Sequence, residues 1–283
     1  MNLDALPYTS FIVLVEFCVG SLLVCVLADW RGAVAPSFTK FCAGMVAVGA
    51  AVMVLNGLIL DPNSVVGGYE LKDGVLPWVQ ACSVAFLVAT LPYNRYVLKE
   101  DRHASFVSGI GALAIGAALI VLTCWYVSLP AWSFAGIFLS VLAGTIAVGA
   151  VVLAMTLGHW YLVTPRLPRE PLEEMTLLLL AAIILQAALL VLNVLFDPRQ
   201  TPDAEAILGS SSLGANPAFW LRIAIGLLFP AALTWMAYLS AKGYPKNEMA
   251  MMSATGLLYI AVGAVLVGEV LARGLLFLTG IPV

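Results

Sequence analysis

The chain has 283 residues, 62% of them hydrophobic and 10% charged, with a mean hydropathy of +1.03. Soluble domains carry roughly 45–50% apolar and about 25% charged residues, so the composition excludes a soluble globular domain, a disordered chain and a disulfide scaffold. Thirteen Lys and Arg against sixteen Asp and Glu give a net charge of −3, with no basic patch for nucleic acid.

Apolar runs fall at 8–29, 37–60, 75–97, 104–127, 131–159, 172–196, 216–240 and 248–279. Each is long enough to cross a bilayer as a helix, which takes roughly 20 residues. None alternates in the manner of a barrel strand, so the expected class is an all-α polytopic membrane protein with eight transmembrane helices. The first run follows MNLDALP, with no basic segment before it and no small-residue cleavage site after it; it is expected to be a retained span. The eighth is longer than a bilayer needs, which predicts tilt or extension into water. Cys18, Cys25, Cys42, Cys82 and Cys124 all lie inside these runs without metal-ligand spacing and read as small buried hydrophobes.

Eight spans place both termini on one side. That side also holds 61–74, 128–130 and 197–215, and carries only Lys72 and Arg199. The opposite side carries Arg31, Lys40, Arg95, Lys99, Arg102, Arg166, Arg169, Lys242 and Lys246. The bias assigns the second side to the cytoplasm, with both termini outside a prokaryotic inner membrane. Trp78, Trp125, Trp132 and Trp220 fall near the outer interface, and Trp30, Trp160 and Trp235 nearer the inner one, as an aromatic belt would.

Spans 2 and 6 end alike, in VLNGLILDPNS (54–64) and VLNVLFDPRQ (191–200), so that Asn56 matches Asn193 and Asp61-Pro62 matches Asp197-Pro198. Pro77-Trp78 and Pro217 with Trp220 then open spans 3 and 7, which carry later prolines at Pro92 and Pro230. Spans 1 and 5 share EFCVG with TIAVG, then ADWRGAVAP with GHWYLVTP. Residues 1–127 and 131–283 thus read as two copies of a four-helix unit, related by an axis along the membrane normal. In this alignment Gln80 corresponds to Arg222, Glu16 to Thr145, and Glu269 roughly to Cys124.

Charge near mid-bilayer costs at least about 2.5–3.5 kcal/mol even on the lenient insertion scale. Glu16, Arg222, Glu269 and Arg273 all fall about 8–18 Å inward from the outer ends of their spans, at 1.5 Å of rise per residue. Two acids and two bases balance, and Glu269 and Arg273 are four apart on one helix face. Such a group either fixes helix register as a salt-bridge cluster or lines a polar pocket in the outer half. In the second case Glu269 is the better proton acceptor, with Arg273 holding its charge, and Glu16 is a second candidate. Gln80, at similar depth, and Tyr259, deep in span 8, are candidate lining residues with Arg222 and Arg273. His103 and His159 both sit near the cytoplasmic face, which does not suit a bis-His haem across the membrane. No phosphate loop, Cys/His metal cluster or nucleophile elbow is present in the sequence. The glycines of SGIGALAIGA (108–117) suit close helix packing.

The segment GEVLARGLLFLTGIPV (268–283) resembles the closing helix of dimethyl-sulfoxide-reductase-type membrane anchors, in which a Gly-Glu, an Arg four residues on and a following Phe recur. Here these are Gly268, Glu269, Arg273 and Phe277. In plan the chain is similar to the wider group that includes nitrite- and polysulfide-reductase anchors, with two four-helix units and outward termini. The resemblance implies a haem-free subunit that binds no metal, interacts with ubiquinone or menaquinone, and exchanges electrons with an iron–sulfur subunit attached to a catalytic oxidoreductase subunit. It implies a role near quinone for Glu269 and Arg273 only; Glu16, Arg222 and Gln80 come from depth alone. Two other functions stay open: a secondary transporter rocking about the charged group, and a non-catalytic anchor or assembly protein in the lipid.

Overall fold

The computed structural model describes residues 3–61, 65–66, 69–128, 133–164, 167–195, 213–243 and 248–283. Pro62, Trp132, Arg166, Asp197, Pro198, Arg199 and Lys246 lie outside them, so the second Asp-Pro stop and part of the charge and Trp patterns are not described.

Among the described residues, eight helices are long and apolar enough to cross a membrane. They are α1 (Leu6–Arg31), α2 (Pro36–Ile59), α3 (Leu76–Leu98), α4 (Arg102–Tyr126), α5 (Ser133–Val163), α6 (Glu170–Leu195), α7 (Pro217–Gly243) and α8 (Glu248–Thr279). Local chemistry sets several ends. Pro7, Pro36, Pro77 and Pro217 sit in first turns, where a missing N–H costs no helical bond. The Asp101 and Asn216 side chains accept from the N–H groups of Ala104 and Ala218, capping α4 and α7. Gly32 closes α1 in the left-handed region, with φ of 64°.

One element was not foreseen. Val65–Val66 (β1) and Tyr69–Glu70 (β2) form a two-stranded antiparallel hairpin between α2 and α3. Tyr69 is buried and donates its hydroxyl to Val127 O, while its ring stands edge-on to Phe277 with centroids 5.3 Å apart. Burial pushes the Tyr69 phenol up, so it stays a neutral donor. Lys72 follows, its ammonium 2.7 Å from Ser128 Oγ and over the Trp125 ring. The loop is thereby tied across the ends of α4 and α8.

Two helices form the centre. The membrane windows of α1 and α5 are 72% and 78% buried, against 33–44% for the other six. α1 packs on α2, α4, α5 and α8; α5 packs on α1, α4, α6 and α8, and more lightly on α2. The remaining neighbours run α2–α3, α3–α4, α6–α7 and α7–α8. The α1–α5 contact is backbone on backbone: a Cβ at Gly20 would lie 1.9 Å from Thr145 O, and one at Gly149 2.1 Å from Gly20 C. Small residues allow this approach, which apolar side chains alone do not favour in lipid. In α4, Gly109 and Gly116 meet Tyr93 and Phe86 on α3 and Val26 and Val19 on α1, whereas a Cβ at Gly111 meets nothing. The expected glycine packing face therefore exists at two of these positions. Trp30, Trp78, Trp125, Trp220 and Trp235 are exposed near helix ends.

Gly149→Ala should push α1 and α5 apart and destabilise the protein by about 1–3 kcal/mol, the usual cost of overpacking. Gly111→Ala should be close to neutral. Thermal denaturation in one detergent compares them; equal melting temperatures would show that the α1–α5 contact is not limiting.

Candidate functional site: a buried network of two glutamates and two arginines

Five helices meet at one buried volume. α1 supplies Glu16, α5 supplies Ser140 and Gly144, α6 supplies Gln186, α7 supplies Arg222, and α8 supplies Glu269 and Arg273. The four charged side chains are 0–1% exposed. Each charge taken from water costs several kcal/mol, which only close pairing with further hydrogen bonds offsets.

The pairing is dense on one side. Arg273 donates from Nε to Glu16 Oε1 at 2.8 Å, and its Nη2 lies 2.7 Å from the same oxygen. Nη2 also reaches Glu269 Oε2 and Ser140 O, at 3.0 and 3.1 Å, and Nη1 donates to Ser140 Oγ at 2.9 Å. The opposite Glu269 oxygen, Oε1, accepts from Gln186 Nε2 at 2.7 Å and Arg222 Nη1 at 3.4 Å. Arg222 Nη2 in turn donates to Gln186 Oε1 at 3.0 Å. Gln186 thus bridges an acid and a base with both ends of its amide. Two atoms of the network have no hydrogen-bond partner: Glu16 Oε2, an acceptor, and Arg222 Nε, a donor.

Glycines make the room. A Cβ at Gly144 would stand 2.6–2.8 Å from Glu269 Oε2, Arg273 Nη2 and Glu16 Oε1, so the charged groups lie against bare α5 backbone. Beside Arg222, a Cβ at Gly226 would be 2.7 Å from Gly268 Cα, which brings α7 and α8 into backbone contact. There α7 changes to a π-helix over Ala224–Leu228. Pro230 supplies a cause, because it cannot donate to the carbonyl of Gly226 four residues earlier. One turn beyond Arg273, the Phe277 ring lies against Tyr8 and Tyr69 and covers the network on the hairpin side.

Glu16, Arg222, Glu269 and Arg273, inferred from depth, come together. Gln80 and Tyr259 do not join them. Gln80 is on α3, which packs on α2 and α4, and its amide donates to Gly57 O at 2.9 Å. Tyr259 lies ten residues before Glu269, about 15 Å of helical rise away. It is 48% exposed and shares a 2.9 Å hydrogen bond with His159 Nδ1. Gln80 is turned away by the placement of its helix, and Tyr259 lies at a different depth of α8. Sequence reasoning missed Gln186, Ser140 and Gly144. For Gln186 a signal existed, a lone amide in the run AAIILQAALL; for Gly144 there was none, since its role is the space that it leaves. Asn56 donates to Ser10 Oγ and Asn193 to Pro282 O, so neither joins the network. Among the described residues no group of three or more His, Cys, Asp or Glu could hold a metal ion.

The chain matches no protein-family model and no curated protein.

Arg273→Met should strand the Glu16 carboxylate, leaving Glu269 to Arg222 and Gln186, and cost about 3–5 kcal/mol. Combining it with Glu16→Gln, which restores the charge balance and leaves Arg222 paired with Glu269, should recover much of that loss. Melting temperatures of the single and double variants measure the coupling; additive losses would mean that the charges do not compensate one another.

Proposed function

We propose that this chain is a quinone-interacting membrane subunit of a respiratory oxidoreductase in a prokaryotic inner membrane. In this reading it exchanges electrons with an extrinsic iron–sulfur subunit that serves a catalytic oxidoreductase subunit. The observation that carries the reading is Glu16 Oε2, an unpartnered carboxylate oxygen in a fully buried network whose one other unpartnered side-chain atom is Arg222 Nε. Intramembrane ionisable groups are functional candidates by default, and this one has a free acceptor position.

The donor set suits a quinone headgroup: Glu16 Oε2 accepts, and Arg222 Nε donates to a carbonyl. Oxidation of a bound quinol to quinone releases two electrons, which pass to the iron–sulfur subunit, and two protons. Glu16 takes the protons one at a time at Oε2, releasing the first to the outer aqueous side before it accepts the second, while Arg273 keeps its contact with Glu269. Glu269 is the weaker acceptor, because Gln186, Arg222 and Arg273 already occupy both of its oxygens. Its role becomes that of the fixed counter-charge for the two arginines. Access requires the helices to part, and the π segment of α7 beside the Gly226–Gly268 contact is the weakest seam.

The two-copy plan is part of the proposal. Its support is the order of neighbours: α1–α2–α3–α4 closes back on α1, and α5–α6–α7–α8 closes back on α5. The contacts across are α1 with α5, α1 with α8 mirrored by α5 with α4, and a smaller contact of α2 with α5. Gln80 bonding from α3 to α2 parallels Arg222 bonding from α7 to α6. The charge bias then directs both termini outward.

One observation favours transport as the second reading: α7 is interrupted at the depth of the network. Its counterpart α3 is a continuous helix, whereas inverted or tandem transporters break helices in both halves.

Glu16→Gln should lower quinol-dependent turnover of the assembled complex by at least about tenfold, a barrier change of roughly 1.4 kcal/mol, with assembly retained. Glu269→Gln should act mainly on yield and melting temperature. Full turnover in a well-assembled Glu16→Gln complex would leave the network a purely structural role. For topology, single cysteines at Glu70 and Lys99 should react with an impermeant reagent from outside and inside respectively; the reverse pattern would invert the orientation.

A further inference from the structure

The region between α1 and α6 holds a second feature, independent of the charged network. Both helices pack on α5, and a crevice of about 480 Å³ remains between them, a size within the roughly 300–1,000 Å³ of ligand-binding clefts. Its walls are mostly apolar, with Val24, Leu27 and Ala28 on α1 facing Met175, Leu178 and Ala181 on α6. At its mouth Arg31 and Glu174 form an ion pair, each side chain about half exposed.

The other place where such a gap could open is filled. Trp160 of α5 lies over Phe38 and Phe41 of α2, at 6.0 and 5.7 Å between ring centroids, and donates to Ser37 Oγ. Trp30 of α1 turns the opposite way, stacking on Phe106 of α4 at 5.9 Å. No bulky ring therefore enters the α1–α6 crevice from α1.

Depth and charge identify an occupant. From Arg31 to Val24 is seven residues and from Pro171 to Ala181 ten, about 10–15 Å of helix, which is one leaflet of a hydrocarbon layer roughly 30 Å thick. A chain that enters at the interface would end near mid-membrane. At the interface the crevice presents one cation and one anion side by side, which complements a zwitterion. An ethanolamine headgroup matches best, because its ammonium has N–H groups to donate to Glu174, and choline has none. The half-exposed Arg31–Glu174 pair is itself worth only about 0–1 kcal/mol, so a phosphate and an ammonium can insert beside it at little cost.

We propose that the α1–α6 crevice binds one acyl chain of an ethanolamine phospholipid, with the phosphate on Arg31 and the ammonium on Glu174. The test is native mass spectrometry of the purified full chain, after equilibration with equal amounts of ethanolamine, choline and glycerol phospholipids of identical chains. The wild type should retain the ethanolamine lipid preferentially. Ala181→Trp, which fills the crevice, should reduce retention by at least about tenfold, equivalent to about 1.4 kcal/mol. Ile184→Trp, on the exposed face of α6, should not. Glu174→Gln, a surface change that leaves the crevice intact, should abolish the preference for ethanolamine over choline, and Arg31→Gln should weaken retention of all three. Equal retention of the three lipids, preference for the glycerol lipid, or retention unchanged in Ala181→Trp or Glu174→Gln would each overturn the proposal.

Discussion

Two arginines and two glutamates are buried together where five helices meet, and the arrangement of those helices follows from that. No one of the four charges can be moved to lipid or left alone without a cost comparable to the stability of a domain. Arg273 therefore binds α8 to α1 through Glu16 and to α5 through Ser140, while Glu269 binds α8 to α6 and α7. In lipid, where apolar side chains gain little by meeting each other, such polar contacts and close backbone approach decide which helices are neighbours.

The glycines and the charges depend on each other. Gly20 and Gly149 let α1 and α5 touch, and Gly144, on the same helix, leaves room for the two carboxylates and the Arg273 guanidinium to lie against the α5 backbone. Gly226 and Gly268 do the same for α7 and α8, with Arg222 alongside. The network is saturated where Glu269 and Arg273 meet and incomplete at Glu16 Oε2 and Arg222 Nε. On the proposed reading, these two atoms are the positions that a quinone headgroup would meet.

The apolar crevice and the charged network use the same two helices at different depths. α1 carries Glu16 toward α5 and α8, and Leu27 and Ala28 toward α6; α6 carries Gln186 to the network and Met175, Leu178 and Ala181 to the crevice. One pair of helices thus separates a polar, closed interior from a lipid-facing recess.

Much of the architecture was legible in the chain itself. Run length and hydropathy are local properties, so eight spans could be counted, and proline and cap residues marked several of their ends. The cost of burying charge made Glu16, Arg222, Glu269 and Arg273 a group before any contact was known, because depth follows from rise per residue alone. What depth cannot supply is azimuth and neighbourhood. Gln80 and Tyr259 shared the apolar setting but face α2 and His159, whereas Gln186, an uncharged residue in α6, completes the network. Gly144 acts through the side chain that it lacks, and the π segment of α7 arises where Pro230 meets a backbone contact with α8. These depend on which helix lies against which, a relation between residues up to 257 positions apart, as Glu16 and Arg273 are. The sequence by itself determined the spans and the charges that must be paired; only the tertiary structure decided the partners, because pairing in a bundle is a matter of distance across helices and not of position along them.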